Sequence, residues 1–221
     1  MTASVGGVDR RQVLEQALSD LGLTLQAGVV SALLSYLDLI QKWTKVYNLT
    51  AVRDPGEMLT HHVLDSLAVI PPLRRQLAGK ISPVRLLDVG SGAGLPGVVV
   101  AICCPDVTVH CVDTVGKKAA FIQQVAASLK LPNLRGVHAR VESLTEKFDV
   151  VSSRAFASLA DFTNWSGGAL ADQGVWLAMK GKHPSEEIIA LSAGVEVFHV
   201  EQLVVPGLDA DRCIVWMRKK A

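Results

Sequence analysis

The stretch RLLDVGSGAGLPGVVVA, residues 85–101, carries an apolar run into a loop that holds Gly90, Gly92, Gly94 and Gly97. Glycine lets the backbone turn with positive φ and approach a ligand with no Cβ between them. Two frames run through the loop. Gly92-x-Gly94-x-x-Gly97 spells a dinucleotide fingerprint, whereas Asp88-x-Gly90-x-Gly92-x-Gly94 spells a loop for another ligand. Asp113 closes the next strand-like run, 23 residues after Gly90, where a carboxylate can take the two hydroxyls of a ribose. In a dinucleotide site the first glycine directly follows the strand, but Gly92 lies four residues beyond Asp88. A carboxylate at position 88 repels a pyrophosphate and suits a ligand that carries an amino group and a sulfonium. S-adenosylmethionine is such a ligand, and the pattern favours it over NAD. Pro96, at the start of the following helix, leaves the other N-terminal N–H groups directed at the loop.

Other side chains carry weaker signals. Arg154 stands just past a strand-like run, where a guanidinium can bind a cofactor carboxylate or an RNA phosphate bidentately, or pair with Glu142 or cap a helix. His61-His62-x-x-Asp65 has helical spacing but lacks a convincing third ligand, so it reads as a capping or docking cluster rather than a metal site. Lys42, Lys45 and Arg53 flank Trp43, Tyr47 and Asn48, a basic stretch with aromatics that can hold single-stranded RNA. Trp43 also continues an apolar stripe and is assigned to the core. Lys180, Lys182 and His183 follow the fifth strand on the ligand side and, with Arg53, are further candidates for RNA phosphates; Lys117 and Lys118 open a helix and read equally as solvated charge. Cys103, Cys104 and Cys111 lack metal-ligand spacing and read as small core residues.

These residues need elements to position them. Residues 1–79 read as successive helices. Leu14, Leu18 and Leu21 recur at helical spacing, with Gly22 as a stop. Thr24 is expected to cap a longer helix that buries Val29, Leu33, Leu37, Ile40 and Trp43. Asp54-Pro55-Gly56-Glu57 is a capping-box start, and the helix through HHVLDSLAVI is expected to stop at Pro71-Pro72. From residue 80 the period changes. VRLLDV, VTVHCVD, LRGVHA, FDVVSS and GVWLAMK are strand-like, separated by helical patterns at 96–104, 115–130 and 158–170 and a short turn near 142–146. Alternation of this kind predicts an α/β, Rossmann-like doubly wound parallel sheet. GVEVFHVEQLVV and RCIVWMRK add a closing hairpin, at least one strand of it antiparallel, for seven strands in all.

Composition narrows the classes. Hydrophobic residues make up 49% and charged residues 19% of the 221, as in a globule with a real core. No apolar run approaches the ~20 residues that span a bilayer, and MTASVGGVDRRQ lacks a secretory h-region; a cytoplasmic protein with no membrane association is expected. Twenty-two basic against 21 acidic residues argue against a non-specific nucleic-acid coat but not against a local basic surface.

LDVGSGAGLPGVVVA, VDTVGKKAAFI, ARVESL, VSSRAFASL, KWTKVYNLTAVRDP and HHVLDSL together resemble the glucose-inhibited division protein B family, the bacterial ribosomal small-subunit methyltransferases G. The resemblance covers roughly residues 40–182. It implies a class I S-adenosylmethionine-dependent methyltransferase domain over residues 80–221, behind a helical region over 1–79. It implies methylation of guanine N7 in the 530 loop of 16S rRNA, within the 30S subunit or an assembly intermediate, by a monomer without metal. Gly90 and Leu95 would line the methionine part of the cofactor, Asp113 its ribose, Val141 and Glu142 its adenine, and Arg154 the vicinity of the reaction centre. Two positions depart from the family pattern: Thr44 where Asn is usual, and His61 where Arg or Lys is usual. A histidine is mostly neutral at pH 7 and supplies no full-time cation. The chemistry agrees, since an N7 lone pair attacks without losing a proton and needs no general base; SSRAF replaces the N/D/S-P-P-aromatic segment of exocyclic-amine enzymes, and Cys104-Pro105 is in the wrong order and place for a cytosine-C5 nucleophile. The rival expectations are an NAD(P)-dependent oxidoreductase using Gly92, Gly94 and Gly97, and a non-catalytic ribosome-assembly RNA binder.

Overall fold

The computed structural model describes residues 9–80 and 83–220; residues 1–8, most of the MTASVGGVDRRQ stretch read as without a secretory h-region, lie outside that range. Seven strands form one sheet: β1 (Val84–Val89), β2 (Val107–Asp113), β3 (Leu134–His138), β4 (Phe148–Arg154), β5 (Leu170–Lys180), β6 (Val195–Leu203) and β7 (Arg212–Lys219). Their order is β3-β2-β1-β4-β5-β7-β6. β1 to β5 run parallel, β7 is antiparallel to β5, and β6 is antiparallel to β7. The chain leaves β1 towards β2 and β3, then returns to the other side of β1 with β4. That reversal opens a crevice beyond the carboxyl ends of β1 and β4.

The central strands are apolar on both faces because helices cover both. Leu86 points into one core and the adjacent Leu87 into the other. The first core joins the sheet to α1 (Arg10–Asp20), α2 (Val29–Tyr47), α3 (Pro55–Met58), the π-helical turn Leu59–Leu64, α4 (Asp65–Leu67), α5 (Ile70–Leu77), α6 (Gly97–Cys103) and α7 (Gly116–Ser128). The second lies under α8 (Leu159–Ser166), the 3-10 turn Val141–Ser143 and the neighbourhood of α9 (Ser185–Ile189). Residues of the N-terminal helices and of the sheet thus share one continuous apolar cluster. All four cysteines are buried and unpaired.

Several boundaries differ from the sequence expectation. Gly28, with φ 91°, caps α2 in place of Thr24, so the helix starts at Val29. Pro71 and Pro72 do not end a helix. They occupy the first turn of α5, where their missing N–H groups have no intrahelical partner to lose. The preceding segment is not a plain α-helix but winds as a π-helix from Leu59 to Leu64, which re-aims His61, His62 and Asp65. α8 ends at Ser166, and β5 begins at Leu170, earlier than its apolar stretch suggests. Asp54 caps α3 as expected, accepting from the amides of Gly56 and Glu57.

Candidate functional site

The glycine loop is held mostly by its own amides. Gly90 and Ser91 donate to the Val112 carbonyl, Gly94 and Leu95 to the Ser91 carbonyl, and Gly92 to Asp113 Oδ2 at 3.1 Å. Asp88 is fully buried beneath the loop. Its Oδ2 accepts from the Gly97 amide at 2.9 Å and its Oδ1 from the Ser152 hydroxyl at 3.0 Å. Burial pushes its carboxyl up to about 6 against these hydrogen bonds. The expectation that Asp88 faces a ligand's amino group is therefore corrected: it lines neither chamber of the cleft and instead anchors the first N–H of α6. The same bond corrects the reading of that helix start as open to the loop. A helix start already occupied by a carboxylate does not accept a pyrophosphate, which weighs against the dinucleotide frame. Gly97 packs instead of binding, since a Cβ there would strike Cys111 and Asp88.

The cleft has two chambers that meet at Gly90 and Ala155. One, of about 550 Å³, is lined by Asp113, Thr114, Val115, Lys118, Val141, Glu142, Phe156 and Trp165 among others. Asp113 ends β2 with its carboxylate braced by the Val115 amide at 2.8 Å and by Lys118 Nζ at 3.5 Å. Gly90 has φ +65°, and a Cβ on it would overlap the Phe156 ring. The other chamber, of about 430 Å³, is lined by Gly90, Ser91, Gly92, Leu95, Leu49, Thr50, His61, His62, Asp65, Arg154 and Arg212, with Lys180 at its edge. Gly94 lines neither; its Cβ position is filled by Val98. Ala155 adopts φ 51°, a conformation that costs a non-glycine residue about 1 kcal/mol. That turn sends Arg154 into one chamber and Phe156 into the other.

Arg154 does not pair with Glu142 but reaches the last turn of the π-helical segment, as the helix-capping alternative expects. Its Nη1 donates to Asp65 Oδ2 at 2.8 Å and to the His61 carbonyl at 2.7 Å, while Arg212 Nε donates to Asp65 Oδ1 at 2.9 Å. Asp65 thus ties the N-terminal helices to the ends of β4 and β7. His62 shares a 2.8 Å hydrogen bond with Thr50 Oγ1, and burial, reinforced by Arg154, lowers its imidazole to about 4. Thr50 Oγ1 already accepts from the Val52 amide. Sequence reasoning grouped His61, His62 and Asp65 as a docking cluster, which is how Asp65 behaves. It missed Arg212, Thr50, Ser152 and Tyr36, whose hydroxyl donates to the Ala93 carbonyl of the loop at 2.7 Å. Tyr36 fell outside the apolar stripe read from the sequence, and nothing in its spacing pointed to the loop. Among the described residues no group of three or more His, Cys, Asp or Glu could hold a metal, and no helix is long and apolar enough to cross a membrane.

The candidate RNA-binding cations differ in how free they are. Lys42 and Lys45 are exposed on the last turns of α2. Arg53 is tied back to Asn48 Oδ1 at 2.6 Å. Lys180 spends its donors on Glu187, at 2.7 and 3.0 Å, and on the Ala157 carbonyl at 3.0 Å. A phosphate there meets an ammonium already neutralised. Lys182 is exposed and borders a separate hollow beside Arg212. Trp43 packs against the core, 5.3 Å from the Phe121 ring.

A parallel sheet closed by an antiparallel hairpin, with a cleft at its reversal and an acidic residue ending the second strand, defines the class I methyltransferase fold. The chain is similar to the N-methyltransferase NodS from Bradyrhizobium japonicum WM9, solved with S-adenosyl-L-homocysteine, with a TM-score of 0.58 at 13% identity, over 82% of this chain and 100% of that one. It is similar to TrmN from Thermus thermophilus with a TM-score of 0.56 at 17% identity, over 73% of this chain and 53% of that one. Likeness at such identity is one of fold. A family profile, GidB, described as rRNA small subunit methyltransferase G, matches residues 30–215. Proteins named ribosomal RNA small subunit methyltransferase G from Albidiferax ferrireducens and from a Polaromonas species are each 69% identical over 95% of this chain, and over 97% and 94% of their own lengths. The chain belongs to the rRNA small subunit methyltransferase G family.

Proposed function

We propose that the chain transfers a methyl group from S-adenosylmethionine to N7 of one guanine in the 530 loop of 16S rRNA. The observation that carries this reading is the two-chambered cleft joined at Gly90, in a chain of this family. The residues present fit the cofactor: the braced Asp113 carboxylate lies in one chamber beside Val141 and Glu142, and Gly90, with no Cβ, forms the neck to the other. When bound, the cofactor supplies an electrophilic methyl group on a sulfonium. Asp113 takes the ribose hydroxyls, and backbone groups of Val141 and Glu142 meet the adenine edge. Gly90, Gly92 and Leu95 line the methionine part, with Arg154 beside it. The chamber that holds Thr50, His62, Asp65 and Arg212 admits the target base. Guanine N7 attacks with its own lone pair, so these residues align rather than deprotonate. His62, neutral at pH 7, needs no role as a base.

In this reading residues 1–79 form a substrate-facing helical region on a methyltransferase domain of residues 80–221. The protein acts as a cytoplasmic monomer without metal, on 16S rRNA in the 30S subunit or an assembly intermediate. The test incubates the protein and labelled S-adenosylmethionine with 16S rRNA and with 30S particles from cells lacking the modification, then maps the methylated base. Label on a 530-loop guanine N7 is the expected result. Label elsewhere overturns the target assignment. Tight RNA binding without transfer favours the assembly-binder alternative, and binding of NAD without S-adenosylmethionine sinks the cofactor assignment.

A further inference from the structure

Tyr47 ends α2 with 45% of its surface exposed, and the preceding Val46 is 69% exposed. An exposed tyrosine is ordinary. This one is backed by a ladder of rings: Trp43 lies 5.0 Å from it, Phe121 lies 5.3 Å from Trp43, and buried Tyr36 lies 6.5 Å from Phe121. The ring is thus held by the core rather than free to collapse. Lys117, from the first turn of α7, places its ammonium 5.6 Å from the Tyr47 centroid. Lys42 and Lys45 stand exposed on the same end of α2. Placement adds to this. Two and three residues beyond Tyr47, Leu49 and Thr50 line one chamber of the cleft, while Val115 and Lys118, on either side of Lys117, line the other. Tyr47 and Lys117 themselves line neither chamber, but each stands within three residues of side chains that do, one chamber on either side.

We infer that Tyr47 is a stacking platform for an unpaired nucleobase next to the target nucleotide, with Lys117 on the adjoining phosphate. Stacking requires a π-face near the cleft, and single-stranded RNA supplies both the base and the negative charge that the surrounding lysines attract. The Lys117 ammonium leaves the ring for a phosphate as the base arrives. The inference rests on the proposed RNA substrate but not on the atom that is methylated.

The experiment measures dissociation constants for unmodified naked 16S rRNA and for 30S particles, with methyl transfer by the unaltered protein followed in parallel. Tyr47→Ala weakens RNA binding roughly 5- to 150-fold, the range for loss of one stacked base. Tyr47→Phe stays within about twofold of the parent because the ring, not the hydroxyl, does the binding. Lys117→Ala lowers the slope of log affinity against log salt by about 0.7. S-adenosylmethionine affinity is unchanged in all three, and thermal melting confirms that each is folded. Equal RNA affinity for Tyr47→Ala and the parent overturns the platform. So does a Tyr47→Phe loss as large as that of Tyr47→Ala, or a loss seen on 30S particles but not on naked rRNA, which would assign the surface to a ribosomal protein. If the unaltered protein binds RNA through Tyr47 yet methylates nothing, the platform stands and the proposed reaction falls.

Discussion

Replacing Asp65 by asparagine removes one charge from a site that holds three and changes almost no volume. The carboxylate is 3% exposed and accepts one hydrogen bond on each oxygen, from Arg154 Nη1 at 2.8 Å and Arg212 Nε at 2.9 Å. Asparagine keeps one acceptor and turns an amide N–H towards the other guanidinium. One charge-assisted bond is lost outright, at about 1.5–3 kcal/mol, and two cations are left facing each other. Breaking a buried pair costs ~3–5 kcal/mol, and the guanidiniums, 20% and 24% exposed, recover part of that by hydration. The expected loss is about 3 kcal/mol, or roughly 6–12 °C in melting temperature for a chain of this size. Urea unfolding of the parent, Asp65→Asn, Arg212→Gln and the double variant checks it. In the Arg212→Gln background the asparagine costs at least 1 kcal/mol less, because one repulsion is already gone. A loss below 1 kcal/mol for Asp65→Asn, or strict additivity with Arg212→Gln, refutes the picture of a carboxylate clamping two arginines.

Gly90→Ala places a Cβ against Phe156 at φ +65°, so calorimetry should show S-adenosylmethionine affinity falling tenfold or more; Gly92→Ala, with no close neighbour at φ +60°, should cost about 1 kcal/mol of stability from its backbone alone. Tyr36→Phe removes the hydrogen bond to the Ala93 carbonyl and should cost about 1–2 kcal/mol in urea unfolding, leaving an orphaned acceptor in the loop. Asp88 has a folded value of about 6, above its ordinary 3.8. The folded state therefore holds the extra proton, and the contribution of Asp88 to stability is full below pH 4 and lost as pH rises through 6. The stability of Asp88→Asn relative to the parent should rise by about 3 kcal/mol from below pH 3.8 to above pH 6, at up to ~1.4 kcal/mol per pH unit between them; a flat difference across that range contradicts the burial argument.

The parts of the site that could be read in the sequence are those built by local rules. The apolar runs of β1 to β5, the loop at Gly90–Gly94 and Asp113 at a strand end all follow from short-range pattern and chemistry. What escaped depends on distance or on backbone strain. Asp65 and Arg212 are 147 residues apart and meet only because β7 inserts beside β5. The π-helical turn that aims Asp65 has no sequence signature in LTHHVL. Positive φ at Ala155 is imposed by the chain around it, since alanine does not favour it. Asp88 was found for its charge but works by hydrogen bonding, because burial decides which of the two a carboxylate expresses. Lys180 shows a related limit: Glu187 lies only seven residues on, and only the turn from β5 into α9 brings the two together.

Tyr36 and Tyr47 sit on one helix, about 16 Å apart along its axis. The first grips the glycine loop through Ala93, and the second stands exposed at the helix's end, two residues before the cleft-lining Leu49. If the proposed RNA platform at Tyr47 holds, this rod would link the two ligands thermodynamically. Whatever factor the cofactor contributes to RNA affinity by steadying the loop, RNA must return to the cofactor, whichever binds first.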